Sequence, residues 1–242
     1  MDAPQNSPKV YARTAGALYL VLIVVGLFAE VFVRNRLVVP GNSNATADHI
    51  LASPGLWRAG IVADLIMHVL DIPIMWLVYI LFRPVNRNLA LLVLLFNLVQ
   101  TAVLVANKLN LVAALLPLEN SDYQAVFGAQ QLHSQVYLSL KLHDYGFGIG
   151  LIFFGFVCLI EGYLILRSGL LPGFIGTMMQ LAGICYLISS FTQLLAPRLE
   201  SPLFLLLMLP CIVGELSFCL WLLIKGVHTE KWKQLVSESR QQ

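Results

Sequence analysis

Six stretches of the chain are almost continuously apolar, and each is long enough to cross a lipid bilayer as a helix. A helix needs about 20 apolar residues to span the hydrocarbon core. Turn-forming or charged residues separate the stretches, which occupy residues 11–33, 57–82, 88–116, 142–166, 172–194 and 202–224. The pattern predicts an all-α fold, an integral membrane bundle of six transmembrane helices in which short links make sequence neighbours antiparallel.

The composition supports a membrane environment, since 58% of the 242 residues are hydrophobic and only 12% are charged. A soluble domain carries about 25% charged residues, so the lipid bilayer is the predicted partner of most of the surface. The net charge of +2 comes from basic residues that stand singly, which excludes a nucleic-acid-binding stripe. The four cysteines lie inside apolar runs without metal-ligand spacing and are predicted to be small buried hydrophobes.

The basic residues indicate the orientation of the helices, because cytoplasmic loops carry an excess of lysine and arginine. One face receives Lys9, Arg13, Arg83, Arg87, Arg167, Lys225, Lys231, Lys233 and Arg240. The other face receives Arg34, Arg36, Arg58, Lys108, Lys141 and Arg198. The richer face predicts that both the N terminus and the C terminus are cytoplasmic.

This orientation divides the chain into a cytoplasmic N-terminal segment (1–10), a six-helix transmembrane domain (11–226) and a cytoplasmic amphipathic tail (227–242). The tail mixes apolar and basic residues, which predicts a short helix on the inner membrane surface. Two longer outer segments each contain apolar and polar residues at helical spacing, at 47–52 and 123–132. Both predict a short interfacial helix.

The second span carries three ionisable residues that are unusual inside a membrane. Asp64, His68 and Asp71 have i, i+4 and i+7 spacing, which places them on one helical face. An ionised residue near the bilayer centre costs about 2.5–3.5 kcal/mol on insertion scales. This face is therefore predicted to point into the protein, with its side chains paired, protonated, hydrated or bound to a ligand.

Other spans offer partners for that face. The third span carries amides at Asn97, Gln100, Asn107 and Asn110, whereas Lys108 is expected to extend outward toward the interface. His143 and Asp144 begin the fourth span, in which Gly146 and Gly150 form a small-x-x-x-small face for a neighbouring helix. Together these features predict one polar cavity facing the periplasm, with candidate ligand- or ion-binding residues Asp64, His68, Asp71, Asn107, Asn110, His143 and Glu215.

Two intramembrane prolines strengthen the prediction of a site. Pro73 in the second span cannot donate to the Val69 carbonyl, and Pro210 in the sixth span frees the Leu206 carbonyl near Glu215. Freed carbonyls beside ionisable side chains are a common way to build ion and substrate sites in membranes.

Several motifs together resemble one family of membrane proteins. They are Arg13-Thr-Ala-Gly-Ala-Leu-Tyr19, Trp57-Arg-Ala-Gly-Ile-Val-Ala-Asp64, Phe82-Arg-Pro-Val-Asn-Arg87, His143-Asp-Tyr-Gly-Phe-Gly-Ile-Gly150, Gly162-Tyr-Leu-Ile-Leu-Arg-Ser-Gly-Leu-Leu-Pro172, and Leu209-Pro-Cys-Ile-Val-Gly-Glu215 with Trp221. The chain resembles the bacterial multi-pass membrane family catalogued as domain of unknown function 4386, over about residues 13–227. The resemblance implies the cell inner (cytoplasmic) membrane, and it implies no activity, substrate or catalytic residue.

Three hypotheses about function remain open from the sequence. The first is a protein that binds or transports a small polar molecule, a cation or a proton, for which a homodimer could supply further helices. The second is an intramembrane metal-dependent hydrolase, in which Asp64, His68, Asp71 and His143 hold a divalent ion that activates water. The third is a structural or accessory protein whose polar network only specifies packing. Apart from that divalent metal, no cofactor is predicted, and whether the protein is an enzyme stays open.

Overall fold

The computed structural model describes residues 7–239, apart from the side chains of residues 200–205. Within that range all regular structure is helical. The helices are α1 (Pro8–Leu37), α2 (Ser43–Ala52), α3 (Pro54–Phe82), α4 (Arg87–Glu119), α5 (Ser121–Val126), α6 (Ala129–Ser168), α7 (Gly173–Leu195), α8 (Glu200–Ile224) and α9 (Thr229–Glu238), with a 3₁₀ turn at Pro197–Leu199.

The prediction of six transmembrane helices is confirmed. Among the described residues, α1, α3, α4, α6, α7 and α8 are each long and apolar enough to cross a bilayer. The chain is therefore a multi-pass membrane protein. Both α3 and α8 contain a proline, and each remains helical through it, at Pro73 and at Pro210.

The short helices agree with the sequence in two places and differ in one. The helix expected at 47–52 is present as α2, which Asn42 caps by accepting a hydrogen bond from the Ala45 N–H at 3.0 Å. The helix expected at 123–132 is wrong. The chain breaks at Gly128, so that α5 ends before it and α6 begins after it as a helix of 40 residues.

The tail forms α9, as the sequence predicts, and is tied to the end of α3. The Trp232 indole is buried, and its Nε1–H donates to the Leu81 carbonyl at 3.1 Å. Residues 1–6 of the predicted N-terminal segment, and Arg240 with the last two residues of the tail, lie outside the described residues.

Two units of the chain have dense internal contacts. The first unit comprises Met1–Leu20, Leu70–Thr101 and Gly148–Gln242, and the second comprises Val21–Val69 and Ala102–Phe147. Helices α1, α3, α4 and α6 contribute residues to both units.

The second unit has a dry apolar core that fixes its helices in place. Trp57 is almost completely buried, and its indole N–H donates to the Leu111 carbonyl at 2.9 Å. Around it pack Val33, Leu37, Ala47, Ile50, Ile61, Ala114, Leu115, Leu118, Val136 and Leu140. Because Val33, Ile61 and Leu111 belong to this core, the polar residues one turn away or less on α1, α3 and α4 are held in fixed positions.

The first unit contains a close antiparallel contact between α6 and α7. A Cβ atom added to Gly162 would lie 2.6 Å from the Gly176 carbonyl oxygen, and one added to Gly183 would lie 2.6 Å from the Gly155 carbonyl oxygen. The two glycine pairs are seven residues apart on each helix, so they lie on the same face two turns apart. We call these four residues the glycine seam.

The predicted orientation gives a direct test on intact cells. Asp48→Cys, on exposed α2, should react with a membrane-impermeant maleimide, whereas Asn88→Cys, at the exposed start of α4, should react only after lysis. The four native cysteines are buried, so the unmodified chain supplies the background. Labelling of Asn88→Cys in intact cells, with protection of Asp48→Cys, would show the opposite orientation.

Candidate functional site

Asp64 on α3 is the centre of a buried ion-pair network in the second unit. Its side chain is 0% exposed, and its two carboxylate oxygens accept from Arg34 at 2.5 and 3.4 Å. The Lys108 ammonium lies 3.2 Å from the same Oδ2 that accepts the shorter bond. The expectation that Lys108 extends outward is wrong: the residue is only 3% exposed, because the buried Asp64 carboxylate compensates its charge.

An unusual stretch of α1 brings Arg34 to this network. Residues Phe28–Arg34 are wound as a π-helix. This form is rare in proteins, and where it occurs it is often at a functional site. Within this π-helix the Arg34 Nε donates to Glu30 at 2.7 Å, and the Glu30 side chain is 54% exposed. Arg34 therefore joins a fully buried carboxylate on one side to a half-exposed carboxylate on the other.

His143 on α6 extends the network. Its ring is buried, and Nε2 lies 3.4 Å from the Lys108 ammonium. Asn107 donates to the His143 backbone carbonyl at 2.9 Å, and Asn110 donates to Asn107 at 2.9 Å. The two asparagines thus hold α4 against α6 at His143, whose Nδ1 also lies 3.9 Å from the half-exposed Asp144 carboxylate.

His68 lies one turn after Asp64 on α3 and differs from its neighbours. It is 2% exposed, and its Nε2 has no hydrogen-bond partner among the described residues. It nevertheless interacts electrostatically with the whole network. We call this set the basic cluster, and its members are Arg34, Asp64, His68, Lys108 and His143.

The basic side chains of the cluster carry more positive charge than the buried Asp64 carboxylate compensates, and more N–H donors than it accepts. Arg34 and Lys108 share one fully buried carboxylate, Asp64, and both oxygens of that carboxylate are occupied. Arginine and lysine keep further N–H donors beyond these contacts. Neither of two surface pockets, one lined by residues 169–172 and 225–230 among others and one lined by residues 127–135, contains a member of the cluster.

Two of the predicted site residues belong to the first unit instead. Asp71 accepts from Asn97 at 3.0 Å and from Thr101 at 2.7 Å. Glu215 accepts from Tyr19 at 2.9 Å and also from Tyr186. Of the seven candidates, the second unit brings together Asp64, His68, Asn107, Asn110 and His143.

Several members of these networks were not predicted from the sequence. Arg34 and Lys108 were assigned only to an orientation signal and an interfacial position, although a basic residue within reach of an intramembrane acid is its natural partner. Glu161 on α6 was not selected, although an acid in the apolar fourth span is visible in the sequence. Tyr19 and Tyr186 give no sequence signal, because tyrosine is common in membrane helices.

The alternative metal site finds no support in this arrangement. Within residues 7–239, no three His, Cys, Asp or Glu side chains are arranged to hold a metal ion. Of the four residues proposed as ligands, Asp64 has both oxygens on basic side chains.

Comparisons with known proteins agree with the fold and add no chemistry. An uncharacterized protein of Archaeoglobus fulgidus is 26% identical over 166 residues, which cover 69% of this chain and 83% of that protein. No solved structure matches the chain. The model of the family described as Domain of unknown function (DUF4386) matches residues 14–226. Since this match covers nearly the whole transmembrane bundle, the chain belongs to that family.

Proposed function

We propose that this membrane protein binds a small polar molecule with an anionic group, such as a carboxylate or phosphate, at the basic cluster. One observation carries the proposal: the buried Nε2 of His68 has no partner among the described residues, and it lies beside two basic side chains that share a single buried carboxylate. A buried polar atom without a partner is unfavourable by about 1–3 kcal/mol. An acceptor-rich ligand would supply that partner.

Electrostatics favours an anion over a cation at this place. Two unit charges about 4 Å apart interact by about 4 kcal/mol at the effective dielectric constant typical of protein sites. Of the three residues with ionised side chains that interact with His68, Arg34 and Lys108 are basic and Asp64 is acidic, so an anion there meets a net attraction and a cation a net repulsion. Arginine also binds carboxylate and phosphate through two parallel hydrogen bonds, which adds geometric selectivity.

Glu30 offers a route for the ligand to reach Arg34. Its carboxylate is 54% exposed, and exposed ion pairs contribute only about 0–1 kcal/mol. Glu30 can therefore exchange Arg34 for water at small cost, and the ligand's anionic group can take its position on the guanidinium. In this proposal Glu30 closes the site when the ligand is absent.

A purely structural role is the second candidate, and one observation favours it. Asn110 donates to Asn107, and Asn107 donates to the His143 backbone carbonyl on α6. Hydrogen bonds of this kind between membrane helices specify packing. This role requires no ligand, so a binding measurement separates the two candidates.

The test is calorimetric titration of the detergent-purified chain with acetate, succinate and inorganic phosphate, at ionic strength matched with potassium chloride. We expect saturable binding of at least one anion. His68→Ala should weaken it by about 10- to 100-fold, because hydrogen bonds to charged groups contribute about 1.5–3 kcal/mol. The matched control is His133→Ala, whose histidine binds Asn44 at the surface of the same unit and should leave affinity unchanged.

Two results would contradict the proposal. A folded wild-type chain that binds none of the three anions would favour the structural role. Equal affinity in His68→Ala and the wild type would place any anion binding elsewhere.

A further inference from the structure

Three carboxyl groups of the first unit, two of them buried and one half-buried, have no basic partner among the described residues. They are Asp71 on α3, Glu161 on α6 and Glu215 on α8. None of them forms an ion pair with a described residue, and no described lysine, arginine or histidine of this unit is buried. We call these residues the carboxyl cluster.

Glu161 is the exceptional member of the carboxyl cluster. Asp71 and Glu215 each accept hydrogen bonds from two side chains. Glu161 is 1% exposed, and its Oε1 has no partner among the described residues. Its carboxyl group also interacts electrostatically with the other two acids. It therefore has the least compensation for a negative charge.

The described residues of the first unit offer these carboxyl groups no positive charge in the interior. The other titratable groups that interact with these carboxyls are thiols and phenols, which are neutral or negative in every protonation state. They are Tyr19 on α1, Cys158 on α6, Tyr186 on α7, and Cys211 and Cys219 on α8. The amides Asn97 and Gln100 on α4 are uncharged. Compensation must come from a bound cation.

A proton fits this place better than a metal ion. A metal ion requires several ligand atoms in a defined geometry, and within residues 7–239 no three acidic, histidine or cysteine side chains offer one. A proton requires a single oxygen, and the free Oε1 of Glu161 provides it. A neutral carboxyl in an apolar site is also far less unfavourable than an unpaired carboxylate.

We propose that Glu161 is a proton-binding site inside the membrane, with Asp71 and Glu215 as its acidic neighbours. Release of the proton leaves an uncompensated negative charge, so it becomes favourable only when the pH rises or a positive charge reaches the cluster. The proposal rests on residues other than the basic cluster, so it stands or falls separately from the anion site.

Infrared spectroscopy of the full chain in a detergent without ester carbonyls tests this assignment. At neutral pH the wild type should show the carbonyl stretch of a protonated carboxylic acid, and the band should shift in deuterium oxide. Glu161→Gln keeps the shape of the side chain. In this variant the band should lose the intensity that one carboxyl group contributes. Glu238→Gln on the exposed end of α9 is the matched control and should retain it.

Isotope labelling keeps the test independent of any substitution. In wild-type protein with ¹³C-labelled glutamate, the band should move to lower frequency, which excludes Asp71 as its source, and it should disappear as the pH is raised. Absence of the band at neutral pH, or its persistence in folded Glu161→Gln, would overturn the proposal. Loss of the band when sodium replaces potassium at constant pH would overturn it in favour of a sodium site. His68→Ala changes the basic cluster and not the carboxyl cluster, so it should leave the band unchanged.

Discussion

Asp64→Ala should lower the free energy of unfolding by about 3–5 kcal/mol, the largest effect expected of any single substitution in the basic cluster. The substitution leaves the Lys108 ammonium buried without its carboxylate, and it leaves the partly exposed Arg34 guanidinium with Glu30 alone. Removal of one partner from a buried ion pair is severe because the remaining charge loses its compensation but not its cost of desolvation.

Removal of the Lys108 charge should lower the free energy of unfolding less than Asp64→Ala does. It should also partly restore the stability of the Asp64→Ala variant. Lys108→Met leaves Asp64 with both Arg34 hydrogen bonds, so its effect should be smaller than that of Asp64→Ala. In the double variant one unpaired cation fewer remains, and its loss of stability should be less than the sum of the single losses. Reversible unfolding in mixed micelles measures all three.

Lys141→Met is the matched control for this series. Its ammonium pairs with Asp144, but the side chains are 54% and 52% exposed, so the change should stay within about 0.5 kcal/mol. An Asp64→Ala variant no less stable than Lys141→Met would mean that Arg34 and Lys108 reach water in the folded protein. Strictly additive losses in the double variant would show that Lys108 and Asp64 are not coupled.

The number of membrane helices could be read from the sequence because each span is a long apolar run, and hydrophobicity alone sets that signal. The ends of the helices could not. Helix α6 begins at Ala129, well before the apolar run that starts near residue 142, because its first turns continue on polar residues after the break at Gly128. Polar helical turns have no hydropathy signal, and only packing decides whether they form.

The candidate site was predictable in its residue types but not in its grouping. Asp64, His68 and Asp71 do share a face of α3, and all three are buried. Yet Asp64 and Asp71 are about 10 Å apart along the axis at 1.5 Å per residue, so one helical face can serve two networks. Asp64 binds basic residues, whereas Asp71 binds Asn97 and Thr101. Which residues of other helices meet each level is a tertiary property that spacing within α3 does not contain.

The glycines show the same limit. The small-x-x-x-small pattern at Gly146 correctly indicates a close neighbour, since an added Cβ there would meet the Asn107 side chain. Close backbone contacts lie further along α6, in the glycine seam, where the relevant spacing is seven residues and both partners are glycines. A single sequence cannot pair two such glycines, because the antiparallel register between helices depends on the loop and on all packed side chains.

The double variant Gly162→Ala/Gly183→Ala should lower the free energy of unfolding by up to about 4 kcal/mol, since overpacking costs about 1–3 kcal/mol at each site, distant sites add, and the better helix propensity of alanine returns about 2 kcal/mol over both sites. Each new Cβ would meet a backbone carbonyl oxygen of the opposite helix at 2.6 Å, so the helices must separate. The return reflects alanine's helix propensity, which is about 0.8–1.0 kcal/mol better than that of glycine at each site.

Gly173→Ala, also on α7, is the control, because its Cβ would meet the Leu166 side chain of α6 at an ordinary contact distance of 3.6 Å. It should not lower stability, whereas a double variant as stable as this control would show that α6 and α7 are not in backbone contact. The seam also bears on the carboxyl cluster, because Gly162 adjoins Glu161 and Gly183 is three residues from Tyr186. Separation of the helices should therefore shift the infrared band of Glu161 in the double variant and leave it in place in Gly173→Ala, which would tie the proton site to the packing of these two helices.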